Sequence, residues 1–322
     1  MVSIPLSEIM ETLHIVSLKL EVPFRNITTR EIALWEGPSG WAEFPPFLEY
    51  TPTQCVPWFQ SALEASHGPL FKAEHDFIPV NGTIPAISAT EVPDVIKLFP
   101  GVKAFKIKVA QRGQTLHDDL ARIRAVERAV PEAAIRLDAN GGWNYDEANF
   151  AIDKLTPFNI EYLEQPVSSL AELQQLTRTS AIPLAADESI RLADDAKKVI
   201  AENVADVLIL KVAPLGGVQK VKELAQTTDK KIVISSALES SIGMHRGALA
   251  AASICPEIPC GLGTVALLKH DICNQPLLAD EGYISTTART PDPVLLTKFS
   301  ASPQRRNWWK QRIEAVHAII DT

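Results

Sequence analysis

The chain has 322 residues, 46% of them apolar, with a formal net charge of −8 at pH 7 and a pI near 5.5. That acidity excludes the basic stripe of a nucleic-acid-binding surface, and no apolar run approaches the ~18 residues of a membrane span. Four cysteines are too few for a disulfide scaffold in a chain this long, and Met1–Leu20 lacks a basic n-region followed by an apolar core, so a cytoplasmic protein is expected.

Residues 1–77 read as a small α+β unit. His14–Val22 and Glu31–Trp35 have the character of strands, with Gly37-Pro38-Ser39-Gly40 as a turn. A helix is expected over Pro52–Ala65, with Thr53 as its N-cap. From residue 78 a different rhythm begins. Ile78–Ala86 can be a first strand, and short apolar runs then end in polar or charged residues: Phe105–Val109 with Lys106 and Lys108, Ile135–Ala139 with Asp138, Ile160–Glu164, Pro183–Asp187, Val207–Lys211, and Ile232–Ser236 with Ser235 and Ser236. The steps from Lys108 to Asp138, Glu164, Asp187 and Lys211 are 30, 26, 23 and 24 residues, the length of a strand, a helix and two loops.

Helices fit between these strands, over Leu116–Val130 behind a capping box of Thr115 and Asp118, and over Asp194–Ala201. Arg122, Arg124, Glu127 and Arg128 are expected on the wet face of the first. With Ile258–Leu262 as a last strand the count is eight, which favours a closed TIM-like β/α barrel over an open sheet. The rhythm stops after Pro276. Pro303–Ile320 is expected to be a final helix, packed onto the body through Trp308 and Trp309.

In a barrel the C-terminal strand ends share one mouth. Alternation puts Lys106 with Lys108, Arg136 with Asp138, Tyr162 with Glu164 and Ile209 with Lys211 on the inward face. An Asp at a strand end is usually only the N-cap of the next helix. Three carboxylates on neighbouring strands are different, because their mutual repulsion demands a cation, and oxygen-only ligation suits Mg²⁺ or Mn²⁺ better than zinc. Lysines on both flanks, with such an ion, are the equipment for removing a proton beside a carboxylate. The product would be an enediolate, and a lysine base must lose its own proton, its pKa falling from about 10.4 toward ~7–8. Weaker signals count against other chemistries. The spacings of Cys255, Cys260, His270 and Cys273 do not match zinc fingers, and no G-x-G-x-x-G opens a helix. His117 and His245 are expected on helix surfaces, and the sequons at Asn26 and Asn81 are most simply accidental.

Lys106-Ile107-Lys108, Arg136-Leu137-Asp138-Ala139-Asn140, Glu164-Gln165-Pro166, Asp187-Glu188-Ser189 and Lys211 together closely resemble the enolase superfamily. Gly40-Trp41-Ala42-Glu43-Phe44-Pro45-Pro46-Phe47 is similar to the GWGE-x-x-P segment of its capping domain, with Ala42 in place of a glycine. The resemblance implies a (β/α)7β barrel over residues 78–275, and an α+β capping domain formed by residues 1–77 and the returning segment 276–322. It implies that Lys108 is the base, Lys106 its electrostatic partner and Lys211 the cation that stabilises the enolate. Asp138, Glu164 and Asp187 would be the Mg²⁺ ligands, with Mn²⁺ as a substitute. Arg136 and Asn140 would support the metal face and the substrate. Ser235-Ser236-Ala237-Leu238-Glu239-Ser240 resembles the superfamily's dehydratases of menaquinone biosynthesis, and its serines would then bind a succinyl carboxylate. N-acylamino acid racemases, which tend to a Gly-Gly-Met-type sequence there, and dipeptide epimerases are the alternative. The segment Phe24–Arg30 is short for a capping loop, which implies a less enclosed substrate. The expected partner is a small-molecule carboxylate, with no nucleic acid or membrane; the sequence leaves the oligomeric state open, a monomer being compatible with it.

Overall fold

The computed structural model describes residues 4–24, 27–191 and 196–321. Three antiparallel strands open the fold: β1 (His14–Phe24), β2 (Ile27–Gly37) and β3 (Gly40–Phe44), in the order β1-β2-β3. Strand β2 shows how this sheet is used. Ile32, Ala33, Leu34 and Trp35 are all buried in succession. Because side chains alternate, Ala33 and Trp35 join one apolar core while Ile32 and Leu34 join the larger one around the barrel. The sheet is therefore covered on both faces.

The smaller core gathers Trp35, Phe44, Trp58, Phe59 and Trp309. Trp58 and Phe59 lie on the helix Pro52–His67, and Trp309 comes from the helix Pro303–Ile320 at the far end of the chain. Trp309 meets Phe44 edge-on at 6.1 Å and donates from its indole nitrogen to Glu31 at 2.8 Å. The N-cap of the first of these helices is Thr51 rather than Thr53, in a capping box with Gln54. Pro52 explains the shift, since its fixed φ and missing N–H suit the first helical position.

The second body is a parallel sheet in strict chain order: β5 (Gly82–Ile84), β6 (Ala104–Lys108), β7 (Ala134–Asp138), β8 (Ile160–Glu164), β9 (Leu184–Ala186), β10 (Val207–Leu210) and β11 (Lys231–Ile234). The sheet curls on itself, an α/β TIM-like arrangement. Val80 bridges to Cys260 on one edge and Ser235 to Gly261 on the other. On β10 the two faces separate cleanly. Val207 and Ile209 join Tyr162, Ala185 and Val233 in the lumen, whereas Leu208 and Leu210 join the outer core. Among the described residues no helix is long and apolar enough to cross a membrane.

Three expectations are corrected. The first strand is broken: β4 (Phe77–Pro79) pairs antiparallel with β12 (Tyr283–Ser285), and only β5 joins the parallel sheet. Pro79 and Pro85 bracket that piece, and a proline cannot donate to a ladder. The last strand is reduced to the two bridges at Cys260 and Gly261, after Pro259, for the same reason. Arg122 is not on a wet face. It is buried, donating to the carbonyls of Ile87 and Lys108 at 2.7 Å each and to Asp119 at 2.9 Å, while Arg124 and Arg128 of that helix are exposed. The capping box of Thr115 and Asp118 starts the helix Leu116–Ala129 as expected. The start of the expected helix at Asp194 lies outside the described residues, and the helix described there is Ala196–Ala201.

Three side chains, Glu43 and Arg30 buried and Glu64 half-buried, tie the two bodies together. Glu43, at the end of β3, accepts from Ser240 N at 3.0 Å, Ser240 Oγ at 2.5 Å and Gly243 N at 2.8 Å, at the start of the helix Ser241–Ile254. Glu64 accepts from Val218 N at 2.7 Å and Gln219 N at 2.9 Å, at the start of the helix Val218–Ala225, and from Arg246 at 2.7 Å. Arg30 donates to the carbonyls of Ala237 and Leu238 at 3.2 Å each. Carboxylates at helix N-termini satisfy bare N–H groups and complement the helix dipole.

Candidate active site

Consecutive parallel strands bring the expected residues to one mouth. Lys106 and Lys108 end β6, Asp138 ends β7 and Glu164 ends β8, while Asp187, Lys211 and Ser235 each follow directly on β9, β10 and β11. All are buried, from 0% exposed for Glu164 and Asp187 to 8% for Lys211. Charges so far from water need partners, and each carboxylate has one. Lys108 Nζ donates to Asp138 and to Asn140 Oδ1 at 2.7 Å. Lys106 Nζ reaches Glu164 at 3.0 Å and Asp138 at 3.6 Å. Lys211 Nζ donates to Asp187 at 2.5 Å, and Arg191 reaches the other oxygen of Asp187 at 3.2 Å.

The pairing sets the charges. Burial works against the Lys106 ammonium, but Glu164 and Asp138 outweigh it and hold its pKa above the usual lysine range. Burial also opposes the Asp138 charge, yet Lys108 and Lys106 hold that carboxyl below the carboxylate range. Asp187 is held at about 2 by Lys211 and Arg191, again against burial. Glu164 goes the other way. Burial, then its neighbours Asp138 and Asp187, push it up to about 7 despite Lys106. The middle carboxylate of the row carries the repulsion of the other two.

Asn140 sits in the left-handed region at φ 47°, a conformation asparagine tolerates. Its amide N–H donates to Asp138 at 3.0 Å and its side chain donates to Glu188 at 3.2 Å, so it holds both Lys108 and the Asp138 carboxylate in place.

Opposite the row of carboxylates the lining changes to hydroxyls. Ser235, Ser236, Thr264 and Thr83 border the same opening as Lys106, Lys108, Asp138 and Lys211. Ser236 and Thr264 share a hydrogen bond of 2.6 Å. Gly261 stands beside Ser235, and a Cβ there would come within 2.4 Å of the Ser235 hydroxyl. The N-terminal body contributes Phe24 and Phe47, the Phe24 ring lying 4.9 Å from Lys108 Nζ.

Two family models match the chain: an enolase N-terminal domain-like model over residues 15–66 and an enolase C-terminal domain-like model over residues 97–291. The chain is 46% identical to the o-succinylbenzoate synthase of Mycolicibacterium smegmatis over 98% of both chains. It is 43% identical to that of Mycobacterium tuberculosis, covering 98% of this chain and 97% of the other. The chain belongs to the o-succinylbenzoate synthase family of the enolase superfamily. Solved structures show the same fold at greater distance. A muconate lactonizing enzyme from Pseudomonas fluorescens superposes with a TM-score of 0.77 at 20% identity, covering 90% of this chain and 98% of that one. The L-Ala-D/L-Glu epimerase of Bacillus subtilis gives 0.74 at 23%, covering 87% and 96%.

Membership of the enolase superfamily implies a divalent metal. The donor set suits one: three fully buried carboxylates, oxygen ligands only, with the central one raised by the charge of its neighbours. Among the described residues no three Asp, Glu, His or Cys side chains are gathered tightly enough to hold an ion, since each carboxylate is turned onto a lysine or arginine.

One expected site residue is elsewhere. Arg136 shares the inward face with Asp138 but lies two residues deeper. Its guanidinium is consumed by Glu161 at 2.6 Å, Asn81 at 3.1 Å and the Pro259 carbonyl, and it does not line the mouth. It is a lumen residue, stacked 5.2 Å over Tyr162. His245 is half-buried rather than on a surface, and burial lowers its pKa to about 4. His117 is exposed as expected. Cys255 and Cys260 approach to 3.5 Å while His270 stacks on Phe299 at 5.1 Å, so the Cys and His residues considered for zinc do not converge. Asn81 is fully buried, and Asn26 lies outside the described residues, as does Arg25 of the short loop after Phe24. The sequence reading missed Thr83, Thr264, Phe24 and Phe47. The aromatic end of the GWAEFPPF segment was a signal for Phe47, and Phe24 opens the capping-loop segment singled out above; nothing local marked Thr83 or Thr264.

Proposed function

We propose that this chain catalyses the Mg²⁺-dependent dehydration of 2-succinyl-6-hydroxy-2,4-cyclohexadiene-1-carboxylate to o-succinylbenzoate, with Lys108 as the base. The reaction class rests on relatives of 43–46% identity along the full length, all o-succinylbenzoate synthases. It is a carbon–oxygen lyase step of menaquinone biosynthesis. The racemase alternative is not favoured by these relatives. The residue roles rest on one observation above all: two buried lysines, Lys108 and Lys211, flank the row of carboxylates, facing a neutral wall of hydroxyls.

Lys108, in its neutral form, removes the proton next to the substrate carboxylate. It then returns that proton to the departing hydroxyl, so that one group serves both halves of the loss of water. Asn140 and Phe24 hold its side chain in place. Lys106, with its charge reinforced by Glu164, keeps a fixed positive potential next to the base. Lys211 lies on the other flank, paired with Asp187, and supplies the cation that faces the enolate. Ser235 and Ser236 donate to the succinyl carboxylate. Asp138, Glu164 and Asp187 would hold the Mg²⁺, which when bound supplies Lewis-acid stabilisation of the negative charge that builds on the substrate carboxylate.

For the fold, the finer reading is a (β/α)7β barrel over 78–275 with a cap built from 1–77 and 276–322. The bridges at residues 260–261 and the shared core of Trp35, Phe44 and Trp309 support it. The test of function is direct. Aromatisation changes the ultraviolet spectrum, so purified protein mixed with the cyclohexadiene substrate and Mg²⁺ should show a catalysed spectral change. Its absence would overturn the proposal.

A further inference from the structure

We infer that Thr83 is a substrate-binding residue, donating a hydrogen bond from its hydroxyl to an oxygen of the succinyl chain; this rests on the function proposed above. Thr83 is the middle residue of β5, level with Lys106 on the next strand. It lines the opening with both β6 lysines, Ser235 and Thr264. Only 1% of it is exposed, and its Oγ1 is buried with no hydrogen-bond partner among the described residues.

That last fact is the informative one. A buried hydroxyl ordinarily finds a partner, and one left without costs stability. The neighbouring hydroxyls fit the rule, since Ser236 and Thr264 bond each other at 2.6 Å. A β-branched residue is common in a strand, but valine would fill the same space without an idle polar atom. Thr83 borders the one region where a polar ligand is expected.

The surroundings define the group it would meet. Residues 260–261 bridge the strand of Ser235 to Val80 in the segment leading into β5, so Ser235 and Thr83 border the same opening, with Gly261 beside Ser235. Gly261 leaves the Ser235 hydroxyl clear, since a Cβ there would come within 2.4 Å of it. Both hydroxyls lie on the side of the mouth away from the row of carboxylates, so an acceptor oxygen meets donors there without facing negative charge. A carboxylate, which accepts only, suits two converging hydroxyl donors.

The test compares Thr83→Val and Thr83→Ser with the wild-type protein, measuring kcat, KM and Tm. Valine keeps the shape and removes the donor. The expected result is a KM raised about 10-fold or more, the loss of a hydrogen bond to a charged group, with kcat little changed. The Tm should be unchanged or higher because no structural bond is lost, and serine should restore KM. Wild-type dehydration with an unchanged KM in Thr83→Val overturns the inference alone. A lower Tm in Thr83→Val with no recovery of KM in Thr83→Ser assigns the residue a packing role and also overturns it. A wild-type protein that does not dehydrate the diene overturns this inference and the proposed function together.

Discussion

Two arcs of the same barrel mouth are held in different ways. On β6 to β10 the charged groups hold one another: Lys108 on Asp138, Lys106 on Glu164, Lys211 on Asp187. On the other side the hydroxyl arc depends on the N-terminal body. Arg30 fixes the carbonyls of Ala237 and Leu238, and Glu43 fixes Ser240. The ion pairs of the charged arc thus lie within the barrel, with Phe24 and Tyr50 of the N-terminal body touching only Lys108 and Arg191, while the backbone of the hydroxyl wall is braced from outside. Changes in the charged arc should act on kcat, and changes in the hydroxyl arc on KM.

The sharpest attempt to break this division is metal removal. EDTA should abolish dehydration, and added Mg²⁺ or Mn²⁺ should restore it, as read in the ultraviolet assay. Full activity in chelated buffer would leave the carboxylates of the charged arc without the proposed role. Next is Lys108→Ala, for which kcat should fall by roughly 10²–10⁴-fold, the usual contribution of a general base, with circular dichroism unchanged. Lys211→Arg should keep more dehydration than racemisation, because only racemisation needs a proton exchanged from the second face. Deuterium exchange into a slow N-acylamino acid measures the latter. A Lys108→Ala variant that dehydrates normally while Lys211→Arg does not would reverse the assignment.

On the hydroxyl arc, replacing Ser235 and Ser236 together with glycine should raise KM by the equivalent of about 1.5–3 kcal/mol and spare kcat. An unchanged KM would move the succinyl carboxylate elsewhere. The smallest effect concerns the helix behind this arc. Burial, then Arg246, lowers His245 from 6.5 to about 4. Between those values the unfolded chain binds the extra proton and the folded one does not, so the contribution is intact above pH 6.5 and is lost as pH falls toward 4. Melting temperatures across that range should fall less steeply in His245→Gln than in the wild type; equal slopes would remove His245 from the account.

The charged arc was legible in the sequence because it depends on local order alone. A short apolar run ending in Asp, Glu or Lys every 23–30 residues places each side chain without knowledge of any other strand. The hydroxyl arc was legible only in part. Ser235 and Ser236 close such a run, but Thr83 faces the mouth only because the chain breaks at Pro79 and rejoins the sheet at Gly82. Arg136 followed the alternation rule and still missed the site, since period two says which side faces inward and not how deep. Arg122 was misread because its partners, the carbonyls of Ile87 and Lys108, come from loops and strand ends that helical periodicity does not describe.

Glu43 and Glu64 carry a consequence for cooperativity. The N–H groups that open the helices Ser241–Ile254 and Val218–Ala225 are satisfied by carboxylates from the N-terminal body, not by caps from the barrel alone. A barrel produced without the first 77 residues would begin two of its helices with bare donors and would expose Ile32's partners in the large core to water. The two bodies are therefore separate in shape but not in stability. Heating should melt them in one transition.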